Sequence, residues 1–198
     1  LKTWRKGVGV YQVRTTGVSA HAGAAHDQGV NAIEELAHQV VAIQALTDYT
    51  AGTTVNVGVV SGGTRSNVVP QSAWARVDVR VMNQAEADRL DRSLRSLQPH
   101  LKGASVEVTG GINRPPMVRT AAGVSLFQEA AEIASELGFS VTETGTGGGS
   151  DGNFTAALGV PTLDGLGVVG DGGHAQHENA VISSLPERAA LLAGLLLA

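Results

Sequence analysis

The 198-residue chain sets 14 Lys and Arg against 18 Asp and Glu, a formal charge of -4, with 42% hydrophobic and 16% charged residues. That apolar share supports a packed core and excludes a disordered chain. The basic residues are too scattered for a nucleic-acid footprint, and the lack of cysteine excludes disulfides, thiolate metal sites, iron–sulfur clusters and a thiol nucleophile. The longest apolar run, AALLAGLLLA, is far shorter than the roughly 20 residues of a membrane span, and LKTWRKGVGV lacks the apolar stretch of a signal peptide.

In chain order, GVGVYQVRTT (7–16) alternates as a strand does. A loop rich in glycine and alanine follows, GVSAHAGAAHDQG. Val30, Ile33, Leu36, Ala37, Val40 and Val41 then recur at helical spacing, predicting an amphipathic helix to about Leu46. TTVNVGVVSG predicts a second strand with Val55, Val57 and Val59 on one face. WARVDVRVM predicts a third, with Val77, Val79 and Val81 on one face and Arg76, Asp78 and Arg80 on the other. Asn83 and Glu86 resemble a capping box opening a helix with Leu90, Leu94 and Leu97, and SVEVTG is a fourth strand. The order β-α-β-β-α-β is that of a ferredoxin-like sandwich with both helices on one sheet face.

The two prolines of GINRPPMV (111–118) stop a helix or central strand, so this stretch reads as an interdomain linker between domains at 7–115 and 119–198. Beyond it the pattern predicts a helix over about 121–137, a strand at FSVTET, a loop at GTGGGSDGN, a short helix, and a strand near PTLDGLG. Ser184, Pro186 and Glu187 suggest a Ser-x-x-Glu box opening the last helix. This is α/β material with too few strands for a complete sheet. Together with the missing initiator Met, that suggests part of a longer protein.

Four stretches carry chemistry. GTGGGSDGNF contains Gly147-x-Gly149-x-x-Gly152 between a strand and a helix, the dinucleotide fingerprint, but the chain lacks the further parallel strands such a fold requires. The same loop could also receive a substrate carboxylate through free backbone N–H groups, or be a plain turn. GDGGHAQHENAV places His174 and His177 three apart with Glu178 beside them, part of a metal-ligand pattern or a solvated loop. SAHAGAAHDQG holds His21 and His26. RSNVVPQSAWARVDVR joins Asn67 to Arg80, whose guanidinium suits either a bidentate grip on a ligand carboxylate or an ion pair with Asp78.

Taken in order, GVSAHAGAAHDQGVNA, SNVVP, ARVDVR, GGGSDGNFTAALGVPTLDGLG and GGHAQHE resemble the aminoacylase/carboxypeptidase family of two-zinc metallohydrolases, and within it the glutamate carboxypeptidase branch. The resemblance covers essentially the whole chain. It implies a ferredoxin-like lid that serves as the dimerisation surface, joined to the C-terminal part of a zinc-exopeptidase α/β domain. It further implies that His21 stabilises an oxyanion in the other protomer's site and that Asn67 and Arg80 hold a substrate carboxylate. Gly147, Gly148, Gly149 and Ser150 would bind substrate, His174 would be a zinc ligand supported by Glu178, and His177 would be a bystander. The family's other zinc ligands and its general base lie ahead of the lid, so the resemblance implies that this chain alone is inactive and does not hold zinc fully. The implied partners are a small peptide or N-acyl amino acid and a second copy of the chain, with neither nucleic acid nor membrane. A catalytically dead dimerisation protein of the same fold and a dinucleotide-binding module are the rival readings.

Overall fold

The computed structural model describes residues 1–198. Its elements in chain order are β1 (Lys2–Arg5), β2 (Gly7–Thr16), α1 (Ala32–Gln44), β3 (Thr54–Gly62), β4 (Ser72–Val81), α2 (Gln84–Arg95), β5 (Ser105–Arg114), α3 (Ala121–Glu136), β6 (Thr144–Thr146), α4 (Gly152–Ala157), β7 (Gly170–Asp171), β8 (Asn179–Ala180) and α5 (Leu185–Leu197). They form two compact units, one of Lys6–Pro116 and one of Leu1–Arg5 with Met117–Ala198.

In the first unit the four strands pair antiparallel in the order β3-β4-β2-β5, the ferredoxin-like arrangement. Period-two alternation sends Tyr11, Val13, Val55, Val77, Val79 and Val81 to one face, where they meet Ile43 of α1 and Leu90 and Leu94 of α2 in a single core. Both helices start on their own caps. Asn31 Oδ1 accepts from the N–H groups of Ile33 and Glu34, and Asn83 Oδ1 accepts from Glu86 N–H. The reciprocal half of a capping box is absent, because the Glu86 carboxylate accepts from Thr53 Oγ1 and Arg89 instead.

Two expectations change here. Val59 does not share a face with Val55 and Val57. The register shifts at Gly58, so that Val57 opposes Val77 but Val59 opposes Arg76. One extra residue reverses every later side chain, and Val59 is left 49% exposed. The stretch read as linker is also shorter. β5 runs on to Arg114, which an edge strand bonded only to β2 can do, and Pro115 and Pro116 follow it.

In the second unit α3 packs on α5 around buried Ala130, Ala134 and Leu191. Gly194 permits the approach, since a Cβ there would lie 2.6 Å from Ile133 Cγ2. The strand expected at 139–144 forms only over Thr144–Thr146, where it pairs parallel with β1, while Phe139 and Val141 pack into the core. The strand expected near 161–167 is reduced to one bridge between Lys2 and Asp164, since no further strand lies beside it. Ser184 forms no capping box. Its hydroxyl donates to Val181 O at 2.7 Å and accepts from Val169 N–H at 3.1 Å, closing a 3-10 turn ahead of α5. Leu158, Ile182, Leu196 and Leu197 are each more than three-quarters exposed. No helix is long and apolar enough to cross a membrane.

Candidate functional site

His21 and Asn67 are brought together by the loops at one end of the four-stranded sheet. Ala22 N–H donates to Asn67 O at 3.0 Å, and His21 forms a bridge with Val68. His21 Nδ1 accepts from the N–H groups of Gly23 and Ala24, both at 3.1 Å. An imidazole nitrogen that accepts two hydrogen bonds carries no proton, so this network assigns the neutral ring its proton on Nε2. The exposed His21 therefore presents an Nε2–H donor, oriented by its own turn. The Asn67 side-chain amide is likewise exposed and makes no hydrogen bond.

Arg80 lies elsewhere on the same unit. It opposes Val8 and Thr54 near the other end of β4, eight residues beyond Ser72, whose neighbour Gln71 receives the Gly17 N–H beside the His21 loop. At about 3.4 Å per residue, that strand alone separates Arg80 from the His21–Asn67 end by roughly 27 Å. Arg80 Nε and Nη2 donate to the two Asp78 oxygens at 2.8 and 2.9 Å. Its bidentate edge therefore already holds a carboxylate.

In the second unit the Gly147–Ser150 loop is pinned by side chains. Ser150 Oγ donates to Asp164 and accepts from Gly152 N–H, while Ser150 N–H donates to Asn153 Oδ1 at 2.8 Å. Arg5 Nη1 donates to Gly148 O at 3.0 Å, and Arg5 Nε lies 2.5 Å from Asp164. Burial opposes ionisation of Asp164. The Ser150 hydroxyl, the Arg5 guanidinium and the Gly165 N–H outweigh it and hold the carboxyl below the usual carboxylate range. The expectation of free N–H groups in this loop needs correction, because those of Gly148, Ser150 and Gly152 are already engaged. Of the fingerprint glycines, Gly152 has its N–H taken by Ser150 Oγ. Sequence reasoning does not single out Asp164, Arg5 or Asn153. Asp164 lies within PTLDGLG, but Arg5 carries no local signal at all.

His174 stands exposed at the tip of the β7–β8 hairpin. It has φ +69°, and no other non-glycine residue has a positive φ. A left-handed conformation costs such a residue roughly 1–2 kcal/mol, and strain of that kind clusters at functional positions. No hydrogen bond or ion pair joins Glu178 to His174; the Glu178 N–H instead donates to Ala175 O at 3.1 Å. Nor do any three His, Asp or Glu side chains of the chain converge on a point that could hold a metal ion. The residues present do not fit a complete zinc site.

The peptidase dimerisation domain model matches residues 3–105, slightly more than half of the chain. The chain belongs to the peptidase dimerisation domain family. Along its whole length it is similar to carboxypeptidase G2 of Pseudomonas sp. (strain RS-16), at 32% identity over 201 residues. A shorter match, 37% over 89 residues, relates 42% of it to 20% of a p-aminobenzoyl-glutamate hydrolase chain of Escherichia coli (strain K12). Its fold matches that of aminopeptidase PepT from Bacillus cereus with a TM-score of 0.77 and 24% identity, covering 98% of this chain and 52% of that one. The chain spans 48% of carboxypeptidase G2, about half its length. The aminoacylase/carboxypeptidase resemblance of the ordered motifs thus holds, and the relatives are named as peptidases and amide hydrolases.

Proposed function

We propose that this chain is the lid and the C-terminal part of the catalytic domain of a zinc-dependent exopeptidase or amidohydrolase, one that cleaves the amide bond beside a glutamate-like carboxylate. The observation that carries the reading is the whole-length similarity to carboxypeptidase G2. The name of the shorter match, a p-aminobenzoyl-glutamate hydrolase, supports a glutamate-bearing substrate. The unit Lys6–Pro116 is the lid, and the other unit belongs to the catalytic domain.

His21 donates its Nε2–H to the carbonyl oxygen as that oxygen gains charge, a role in which a preset donor is most effective. Asn67 and Arg80 orient the carboxylate. The separation along β4 means that one protomer cannot bring both to one ligand, so His21 and Asn67 serve one site and Arg80 the other, across a homodimer. Arg80 then exchanges Asp78 for the substrate carboxylate. The edge strand β3 and α1 supply a surface for that dimer, with Val41 72% and Val60 59% exposed beside Ile33 and Val40. His174 contributes one zinc ligand, and the exposed leucines of the second unit mark where the rest of the catalytic domain packs. The 198 residues by themselves are inactive.

The test is to express residues 1–198 alone and together with whatever its gene encodes on either side, and to assay glutamate release from N-acyl-glutamates with zinc present. Release by the larger protein alone is the expected result. If the larger protein cleaves no N-acyl amino acid or dipeptide, the hydrolase reading fails in favour of a dimerisation protein without catalysis.

A further inference from the structure

We infer that His177 is a positioning residue, whose ring lies against Gly172 and holds the loop that keeps His174 in its left-handed conformation. The inference rests on the reading that His174 serves the catalytic site. It gives His177 a role that the order of motifs does not.

Two turns meet at the tip of the β7–β8 hairpin. Ala175 N–H donates to Gly172 O at 2.8 Å, and Glu178 N–H donates to Ala175 O at 3.1 Å. In the first turn Gly173 keeps a negative φ while His174 takes φ +69°. That is the type II pattern, whose third residue is ordinarily Gly or Asn. The sequence offers a less strained course. Asp171-Gly172-Gly173-His174 could close as a two-residue hairpin turn of type I′, with positive φ at both glycines and none at His174. The chain does not take it. Asp171 pairs with Asn179 instead, and the longer loop places the strain on His174.

His177 fills that longer loop. A Cβ at position 172 would lie 2.7 Å from His177 Cδ2 and 3.0 Å from its Nε2, so the ring edge takes the space of a side chain there. The second turn, with Gln176 and His177 at its centre, carries the ring back over the first. Asn179 Nδ2 donates to His177 O at 3.3 Å and secures the return. His174 is thereby presented in one backbone conformation. Misplacing a catalytic group by about 1 Å can cost on the order of a hundredfold in rate.

The test follows the intraresidue amide-to-Hα NOE of His174 in the 198-residue chain, strong at positive φ and weak at negative φ. It should be strong in the wild type and weak in His177→Ala. His177→Phe, which keeps a flat ring without its nitrogens, should be strong again. Exchange of the Ala175 amide should quicken about tenfold in His177→Ala alone, as the loss of one hydrogen bond allows. In the larger protein His177→Ala should lower kcat about tenfold or more on an N-acyl-glutamate, with KM unchanged, and His177→Phe should restore it. A strong NOE in His177→Ala, or an equal loss in both variants, would overturn the inference. So would a kcat untouched by His177→Ala. The NOE needs no turnover, so the two readings fail separately. An NOE that depends on His177 in a protein that cleaves nothing refutes the hydrolase and keeps the positioning of His174. Turnover with an NOE indifferent to His177 refutes the positioning alone.

Discussion

Asn67 and Arg80 occupy opposite ends of one four-stranded sheet, although only thirteen positions separate them in sequence. Asn67 is tied to the His21 loop through Ala22, and Arg80 sits eight residues along β4 beyond Ser72. Ten extended residues of β4 hold the two ends apart as a rigid spacer, so sequence proximity here measures the length of a strand rather than a shared pocket.

This separation predicts complementation between inactive variants. In the complete protein, Asn67→Ala and Arg80→Ala should each lose most activity as homodimers. A two-fold dimer that mixes them has one site with both groups intact and one with neither. Random reassortment of equal amounts should therefore restore about a quarter of wild-type activity, from half the dimers carrying one good site each. Activity that stays at the level of the separate variants after protomer exchange would show that the two residues do not meet across a dimer.

The dimer surface can be tested by itself. Val41 and Val60 are exposed, so replacing either by Asp costs the isolated fold little, typically within about 0.5 kcal/mol. In an interface, each change buries an unpaired charge. Val41→Asp and Val60→Asp should halve the mass measured by light scattering while leaving the melting temperature nearly unchanged. A mass that stays at twice the chain would move the interface to another face.

Much of the first unit is legible in the sequence, because each strand shows one apolar face against two amphipathic helices. The valines at 77, 79 and 81 alternate with charge and are all buried. Gly58 marks where that reading stops working. A bulge adds no periodic signal of its own, yet it turns Val59 outward. The second unit is harder to read because its strands are two to four residues long, and β6 is paired by a segment some 140 residues away. The candidate site shows the same limit. His21, Asn67, Arg80 and His174 stand within recognisable motifs, whereas Arg5 and Asp164 matter only through a contact spanning 159 positions.

That contact predicts how the Gly147–Ser150 loop responds to mutation. Asp164 accepts from Ser150, Arg5 and Gly165 at once, and Ser150 in turn receives the Gly152 N–H. Asp164→Asn removes the charge that favours the first two bonds, each worth roughly 1.5–3 kcal/mol when one partner is ionised. Hydrogen exchange at Ser150 and Gly152 should quicken at least tenfold, with amides in the middle of α3 unchanged. Unaltered exchange at those two positions would mean that Asn153 alone fixes the loop.

Glu35 sets an acid limit on the stability of the first unit. Its buried carboxylate accepts from Gln39 Nε2 at 2.7 Å and from the N–H groups of His100 and Leu101, fastening α1 to the segment after α2. Burial opposes its ionisation, but the Gln39 amide and the two backbone donors outweigh it and hold the carboxyl below the usual range. A pKa lowered by folding gives stability that is complete above the unfolded value. That stability then fades as pH falls through the lower folded value. Glu35→Gln keeps the shape but turns an amide toward backbone donors, so it should cost about 1–3 kcal/mol at pH 7. The gap between wild type and variant in urea unfolding should then narrow as pH falls into and below the usual carboxylate range, because the unfolded chain takes up a proton that the folded carboxyl still resists. A gap that stays constant across that range would mean that Glu35 acts through packing and not through its charge.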